Sequence, residues 1–202
     1  FGPIFVQLFG LGEAPMTITS LPKEEHLANW QDKRLERLSS VGREVTGVEI
    51  RVVDEQDQDV PTGSSGEIIV RSDLVMKGYL NNPEATEASL RNGWLHTGDL
   101  GYQNAEGYLY ITDRIKDLII SGGANIYPRE VEEVISQHPS VAEVSVIGVP
   151  DTKWGESVKA LIVLRSGTEE TPEEIIEFCR ENLASYKKPQ SVEFLSCLPK
   201  TL

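Results

Sequence analysis

The sequence is short of positive charge. Nineteen Lys and Arg stand against 32 Asp and Glu, a formal net charge of −13. A chain this acidic repels nucleic acid and anionic membrane surfaces, so neither is an expected partner. Cysteine is scarce too. Cys179 and Cys197 lack metal-ligand spacing and read as reduced thiols rather than a disulfide. No apolar run reaches the ~18 residues of a membrane span, and no signal-like segment opens the given sequence. A cytoplasmic location is therefore the expectation. Neither the G-x-G-x-x-G fingerprint nor a phosphate-cradling Gly-Lys-Ser/Thr loop occurs, which excludes the two commonest glycine-rich nucleotide motifs. There is no internal repeat and no low-complexity segment.

What is present is enough chain, 202 residues, for one full domain or two modest ones. Val48, Ile50 and Val52 alternate with Glu49 and Arg51, and Ile68 and Val70 with Glu67 and Arg71. That period of two predicts a hairpin of half-buried strands. Asn82 and Pro83 can open a short helix, with Gly93 as its stop. A second hairpin is expected over Tyr102 to Ile111, turning at Asn104–Gly107.

From about Lys116 the pattern changes. Pro128 can start a helix carrying Val131, Val134 and Ile135 at three- and four-residue steps. Apolar strands follow at Val141–Val149 and Val158–Leu164. Thr171-Pro172-Glu173-Glu174 is a capping box ahead of a helix with Ile175, Cys179 and Leu183 on one side. A last strand covers Val192–Leu195. The prediction is an α+β chain: short strands and turns over 1–115, then a small unit over 116–202 with a three-stranded sheet and helices. Ile4, Phe5, Val6 and Leu8 read as a buried strand at the very start. Both ends look cut, so the chain is expected to be a piece of something larger.

Four stretches carry possible chemistry. Phe9-Gly10-Leu11-Gly12-Glu13 ends a strand with an aromatic face able to stack on a purine, a glycine that admits a ligand to the backbone, and a carboxylate suited to Mg²⁺. Gly93-Trp94-Leu95-His96-Thr97-Gly98-Asp99 sets a carboxylate, able to accept from two neighbouring hydroxyls, after a glycine that can turn the backbone to aim it. His96 reads as structural. Asp113-Arg114-Ile115-Lys116-Asp117 offers the donor fork of Arg114. Ser121-Gly122-Gly123 permits close backbone approach before a helix. Taken singly, each could equally be an ordinary turn.

In this order and spacing the stretches resemble the adenylate-forming (AMP-binding) superfamily, in its acyl-CoA synthetase branch. Phe9–Glu13 is similar to its Tyr-Gly-x-Thr-Glu, Gly93–Asp99 to its Gly-Trp-x-x-Thr-Gly-Asp, and Asp113–Asp117 to its hinge. Gly122–Glu132 is similar to its Gly-Gly-x-Asn-Ile-x-Pro-x-Glu-Val-Glu. Tyr186-Lys187-Lys188-Pro189 and Leu198-Pro199-Lys200-Thr201 are similar to the approach to its C-terminal lysine.

The resemblance implies that residues 1–115 are the end of a large AMP-binding domain, its distorted β-barrel part, and 116–202 a small mobile C-terminal domain; it also implies roles. Phe9 and Gly10 would meet the adenine. Glu13 would hold Mg²⁺ against the ATP phosphates and Asp99 and Arg114 would grip the ribose. Lys116 would be the catalytic hinge about which the small unit swings. Gly122 and Gly123 would line the passage of the coenzyme A thiol. The implied reaction joins a small carboxylic acid to ATP as an acyl-adenylate, then to coenzyme A.

Two substitutions depart from the pattern: Gly12 stands for threonine, losing a hydroxyl expected at the α-phosphate, and Phe9 stands for tyrosine. The Ser/Thr/Gly-rich phosphate loop and a lysine a few residues beyond Leu202 are expected but absent from the sequence. The chain alone is therefore expected not to adenylate. An adenylation domain loading a carrier-protein thiol, or a non-catalytic binding module, are the alternatives. The acid and the oligomeric state are not legible.

Overall fold

The computed structural model describes residues 3–15, 18–27 and 33–200. The chain divides into two compact units, Phe1–Ile115 and Lys116–Leu202.

In the first unit, β1 (Gln7–Phe9), β2 (Thr19–Leu21) and β3 (Arg43–Glu44) form a small antiparallel sheet in that order. A second, curled sheet holds β4 (Glu49–Val53), β5 (Gly66–Arg71), β6 (Leu90–Arg91), β7 (Trp94–Gln103) and β8 (Leu109–Arg114). Its order is β4-β5-β7-β6, with β8 also on β7. The β4–β5 hairpin follows the period-two pattern, but Ile68, Ile69 and Val70 are all buried. A central strand covered on both faces loses the alternation of a half-buried one.

The helix α1 (Pro83–Ser89) starts as expected, with Asn82 Oδ1 accepting from the Ala85 amide at 3.1 Å. It does not run to Gly93. Asn92 and Gly93 have φ of 52° and 80° and turn β6 back onto β7, pairing Arg91 with Trp94. Asn-Gly supplies the two positive φ angles that such a tight hairpin needs. The opening segment also differs from expectation. Only Gln7–Phe9 is strand, paired to β2 alone, and Ile4, Phe5, Val6 and Leu8 are exposed rather than buried.

In the second unit, β9 (Ile119–Ser121) and β10 (Ala124–Ile126) make a short hairpin before α2 (Pro128–Ser136). Then come β11 (Val141–Asp151), β12 (Gly155–Leu164), α3 (Pro172–Asn182) and β13 (Ser191–Phe194). β11 and β12 pair antiparallel over most of their length, and β13 lies parallel beside β12. These are the three strands expected, and the β9–β10 hairpin extends the sheet through the pair Gly155↔Ser121. Val131 and Ile135 of α2 and Ile175 and Cys179 of α3 recur at four-residue steps and are fully buried in one core with Val146, Ala160 and Ile162. Each such apolar side chain contributes about 1.5–3 kcal/mol by leaving water. The capping box of α3 is complete: Thr171 Oγ1 accepts from the Glu174 amide, and Glu174 accepts from the Thr171 amide. The bond to the Thr171 amide holds the Glu174 carboxyl below its usual range.

Candidate functional site

The site residues of the first unit sit where regular strand pairing is interrupted. Between the pairs Ile69↔His96 and Glu67↔Leu100, the single residue Ile68 of β5 faces Thr97, Gly98 and Asp99 of β7. The surplus is a bulge, and bulges leave backbone groups without ladder partners while re-aiming a side chain. Here the side chains supply the partners. Thr97 Oγ1 donates to the Ile68 carbonyl at 2.6 Å and accepts from the Asp99 amide at 3.1 Å. The Gly98 amide donates to Glu67 Oε1 at 3.2 Å, and Gly98 takes a φ of 71° that favours glycine. Asp99 emerges 3 % exposed.

On the other side of β7, Asp99 is the register partner of Arg114 on β8. Arg114 Nε lies 2.9 Å from Asp99 Oδ1, and the Asp113 carboxylate accepts from the Arg114 amide at 2.8 Å. A second irregularity lies nearby, where β8 carries the extra residue Thr112 between partners of Leu100 and Gly101. The Thr112 hydroxyl is buried and is the one side-chain polar atom among the described residues found buried with no hydrogen-bond partner.

The second part of the site is the turn after β1. Phe9 packs half-buried against the core that contains Ala14, Leu95 and Leu109. The Leu11 amide donates to the Ala14 carbonyl at 3.0 Å, which closes the turn over Gly12 and Glu13. A Cβ at Gly12 would meet nothing within 4 Å, so the position is open to a larger residue. Glu13 is tied from a distant segment. Tyr79 donates its hydroxyl to Glu13 Oε1 at 2.5 Å, and the Met76 amide donates to the Glu13 carbonyl at 2.8 Å. The bond to Glu13 raises the Tyr79 hydroxyl above its ordinary pKa. Thr86 Oγ1 accepts from the Tyr79 amide at 2.9 Å, so the first turn of α1 fixes the tyrosine. No local motif points to Tyr79, which lies 66 positions from Glu13 in sequence. Glu13 supplies one hard carboxylate, which suits Mg²⁺ that is held mainly by substrate phosphates.

The remaining expected residues lie in the second unit. Lys116 is exposed in a 3₁₀ turn, Ile115–Asp117. Gly122 and Gly123 form the β9–β10 tip with φ of 58° and 81°. The Gly122 amide donates to the Trp154 carbonyl at 2.8 Å. A Cβ at Gly122 would fall 2.7 Å from the Trp154 ring, whereas one at Gly123 would meet nothing. Ile120, beside the tip, donates its amide to Glu156 Oε2 at 2.8 Å. Lys187 Nζ reaches both oxygens of Glu130 at 2.7 Å, and this contact raises its pKa.

The structure thus joins Asp99 to Arg114 directly, and carries Phe9 on the same core as β7 and β8. The fold that carries them, a curled sheet followed by a small α+β unit, is shared with solved adenylate-forming enzymes. The amide bond synthetase McbA of Marinactinospora thermotolerans superposes with a TM-score of 0.84 at 38% identity, over 99% of this chain and 40% of that one. The o-succinylbenzoate CoA synthetase of Bacillus subtilis, solved with its acyl-adenylate intermediate, gives 0.83 at 42% identity over 96% and 38%. In sequence, the medium/long-chain-fatty-acid–CoA ligase FadD8 of Mycobacterium tuberculosis is 43% identical over 208 aligned residues, 100% of this chain and 35% of that protein. The profile for AMP-binding enzymes matches residues 1–80, and that for the AMP-binding enzyme C-terminal domain matches residues 130–202. The chain belongs to the AMP-binding enzyme family. It spans 35–40% of the length of these three relatives.

Proposed function

We propose that this chain is part of an ATP-dependent carboxylic acid–CoA ligase. Residues 1–115 are the end of its large nucleotide-binding domain and 116–202 its small C-terminal domain. The observation that carries the reading is the pairing of the buried Asp99 carboxylate with Arg114 across β7 and β8. A carboxylate offers about four acceptor sites. Arg114 meets it at Oδ1, and in this reading Asp99 accepts from the ribose hydroxyls. Phe9 offers its ring to the adenine and Gly10 lets the base approach the backbone. Glu13, held by Tyr79, is the Mg²⁺ ligand. The ion, when bound, would offset negative charge on the phosphates.

In the first step an oxygen of the acid forms a bond to the α-phosphorus of ATP and the bond to the β-phosphate bridging oxygen breaks, releasing pyrophosphate. In the second step a thiol sulfur attacks the acyl carbon, the bond to the phosphate oxygen breaks, and AMP leaves. Lys116 is the hinge for a rotation that exchanges the surface used in one step for that used in the other. Gly122 and Gly123, lacking side chains, leave room for the thiol's path.

The thiol is read as that of coenzyme A because FadD8 and the B. subtilis enzyme are named as CoA-using proteins. A fatty acid is one candidate substrate, on the same ground as FadD8. Among the described residues no helix is long and apolar enough to cross a membrane, and a cytoplasmic location rests on the free thiols. The test is ATP–pyrophosphate exchange by the full-length protein over a panel of aliphatic and aromatic acids, followed by product analysis with coenzyme A, a carrier-protein thiol or an amine. Exchange without any thioester would reject the ligase assignment.

A further inference from the structure

The β5–β7 bulge that carries Asp99 is held by a side chain outside the expected nucleotide site. Glu67 is the last β5 residue before the interruption, and its side chain is 15 % exposed. It makes two contacts on the bulged strand. Oε1 accepts from the Gly98 amide at 3.2 Å, and Oε2 lies 2.9 Å from His96 Nδ1. His96 is itself only 5 % exposed in its side chain, and Arg91 Nη2 stands 2.6 Å from the same Nδ1. A protonated Nδ1 donates to Glu67, and an unprotonated one accepts from Arg91. In either state the ring closes the start of the bulge while Glu67 closes its middle.

The Gly98 amide belongs to a residue with positive φ, directly before Asp99. Its orientation therefore sets where the Asp99 carboxylate starts from. Without Glu67, that amide loses its acceptor. The Gly98 amide is part-buried, so what its loss of Glu67 removes is the restraint that holds this short bulge in one geometry. Thr97, the other anchor, fixes the Ile68 carbonyl and the Asp99 amide but not the Gly98 amide. The two anchors are not redundant.

We infer that Glu67, through Gly98 and His96, is the positioning residue that aims Asp99 at the ribose; this rests on the reading of Asp99 as the ribose ligand. Glu67 touches no substrate in this scheme. Its removal loosens recognition of the sugar hydroxyls and spares the rest of nucleotide binding.

The experiment compares calorimetric affinities of the full-length ligase for ATP and for 2′,3′-dideoxy-ATP. The unaltered ligase is expected to favour ATP by about tenfold or more, since a site built to bond hydroxyls rejects their absence. Asp99→Ala brings the ratio to within about threefold, and Glu67→Ala does the same while affinity for the dideoxy nucleotide changes less than about threefold. A full ATP preference in Asp99→Ala overturns both the ribose reading and the inference built on it. Loss of preference in Asp99→Ala with full preference in Glu67→Ala overturns the inference and leaves the ribose reading standing. If Glu67→Ala does not fold, Glu67→Met decides. It keeps the length but offers Gly98 no carboxylate oxygen, so a lost ATP preference supports the inference and a full preference overturns it.

Discussion

Arg114 faces Asp99 directly across the β7–β8 register, its Nε 2.9 Å from an oxygen of a carboxylate that is almost fully buried. Half of the guanidinium side chain remains exposed, so one partner is pinned inside the sheet and the other reaches outward. Asp99→Asn keeps the shape but removes the charge that hydroxyl donors and Arg114 both use. Hydrogen bonds to a charged group contribute about 1.5–3 kcal/mol, which corresponds to roughly 10- to 150-fold. In pyrophosphate exchange by the full-length protein, the proposed activity, the KM for ATP should rise by about that factor while the KM for the acid moves less than about threefold. Equal rises in both constants would show that the change acts on the fold rather than on nucleotide recognition.

Tyr79 and Glu13 make the second long-range link of the site. Tyr79→Phe removes one hydrogen bond to the carboxylate proposed to hold Mg²⁺ and keeps the ring. The apparent Mg²⁺ affinity of the full-length protein with ATP should fall about three- to tenfold, the usual weight of one such bond. The thermal midpoint should move by less than about 3 °C, because the hydroxyl is near the surface. The check is Mg²⁺ titration at saturating ATP, followed calorimetrically. An unchanged Mg²⁺ affinity would detach Tyr79 from the metal site.

Thr112 sits at the β8 irregularity with a buried hydroxyl that lacks a partner. An unbonded buried hydroxyl costs about 1–3 kcal/mol, and valine fills nearly the same volume. Thr112→Val should therefore stabilise the protein by about 1 kcal/mol in urea unfolding. A destabilisation of that size would mean that the hydroxyl has a partner which the apolar side chain cannot replace.

The parts legible in the sequence are those whose signal is local. Thr171 and Glu174 are three residues apart, so the capping box and the start of α3 could be read directly. β11 and β12 are long enough, at 11 and 10 residues, for their apolar content to stand out. β9 and β10 have three residues each, too few for any period to emerge. Gly93 fits a helix end and a hairpin equally well by sequence, and only the pairing of Arg91 with Trp94 distinguishes the two. Asp99 and Arg114 could each be picked out by motif. The contacts that hold the site, Tyr79 to Glu13 and Glu67 to Gly98, join residues 66 and 31 positions apart. No local pattern encodes such contacts, since they depend on how the sheet is interrupted.

Cys179 lies at the centre of the second core, fully buried, and burial pushes its thiol up to about 11. An unfolded chain releases that proton near pH 8.5. Between the two values the folded state holds more protons than the unfolded one, so this group's contribution to stability declines as pH rises from about 8.5 to 11, by roughly 2–3 kcal/mol. Below pH 8 it is constant. The stability difference between the protein and its Cys179→Ala variant should narrow over that alkaline range, because the other titrating groups are common to both. At pH 8, iodoacetamide should modify the exposed Cys197 and spare Cys179 until the protein is unfolded. Equal labelling of both thiols in the native protein would contradict the buried core.

Gly122 is constrained twice, by a φ of 58° and by the Trp154 ring lying where a Cβ would go. Gly123 has positive φ but open space. Gly123→Ala should cost only the backbone strain, about 1 kcal/mol. Gly122→Ala should cost more, because the ring must swing away as well. Trp154 is 43 % exposed and can move, so the double variant Gly122→Ala/Trp154→Ala should recover part of the added loss, a coupling measurable in a double-mutant cycle. On the proposed thiol path, Gly122→Ala in the full-length protein should slow thioester formation from preformed acyl-adenylate by about tenfold or more, and leave pyrophosphate exchange within about threefold. The two half-reactions separate a narrowed thiol path from a general loss of structure. A parallel fall in both rates would remove the glycine tip from the thiol step and leave it a purely structural turn.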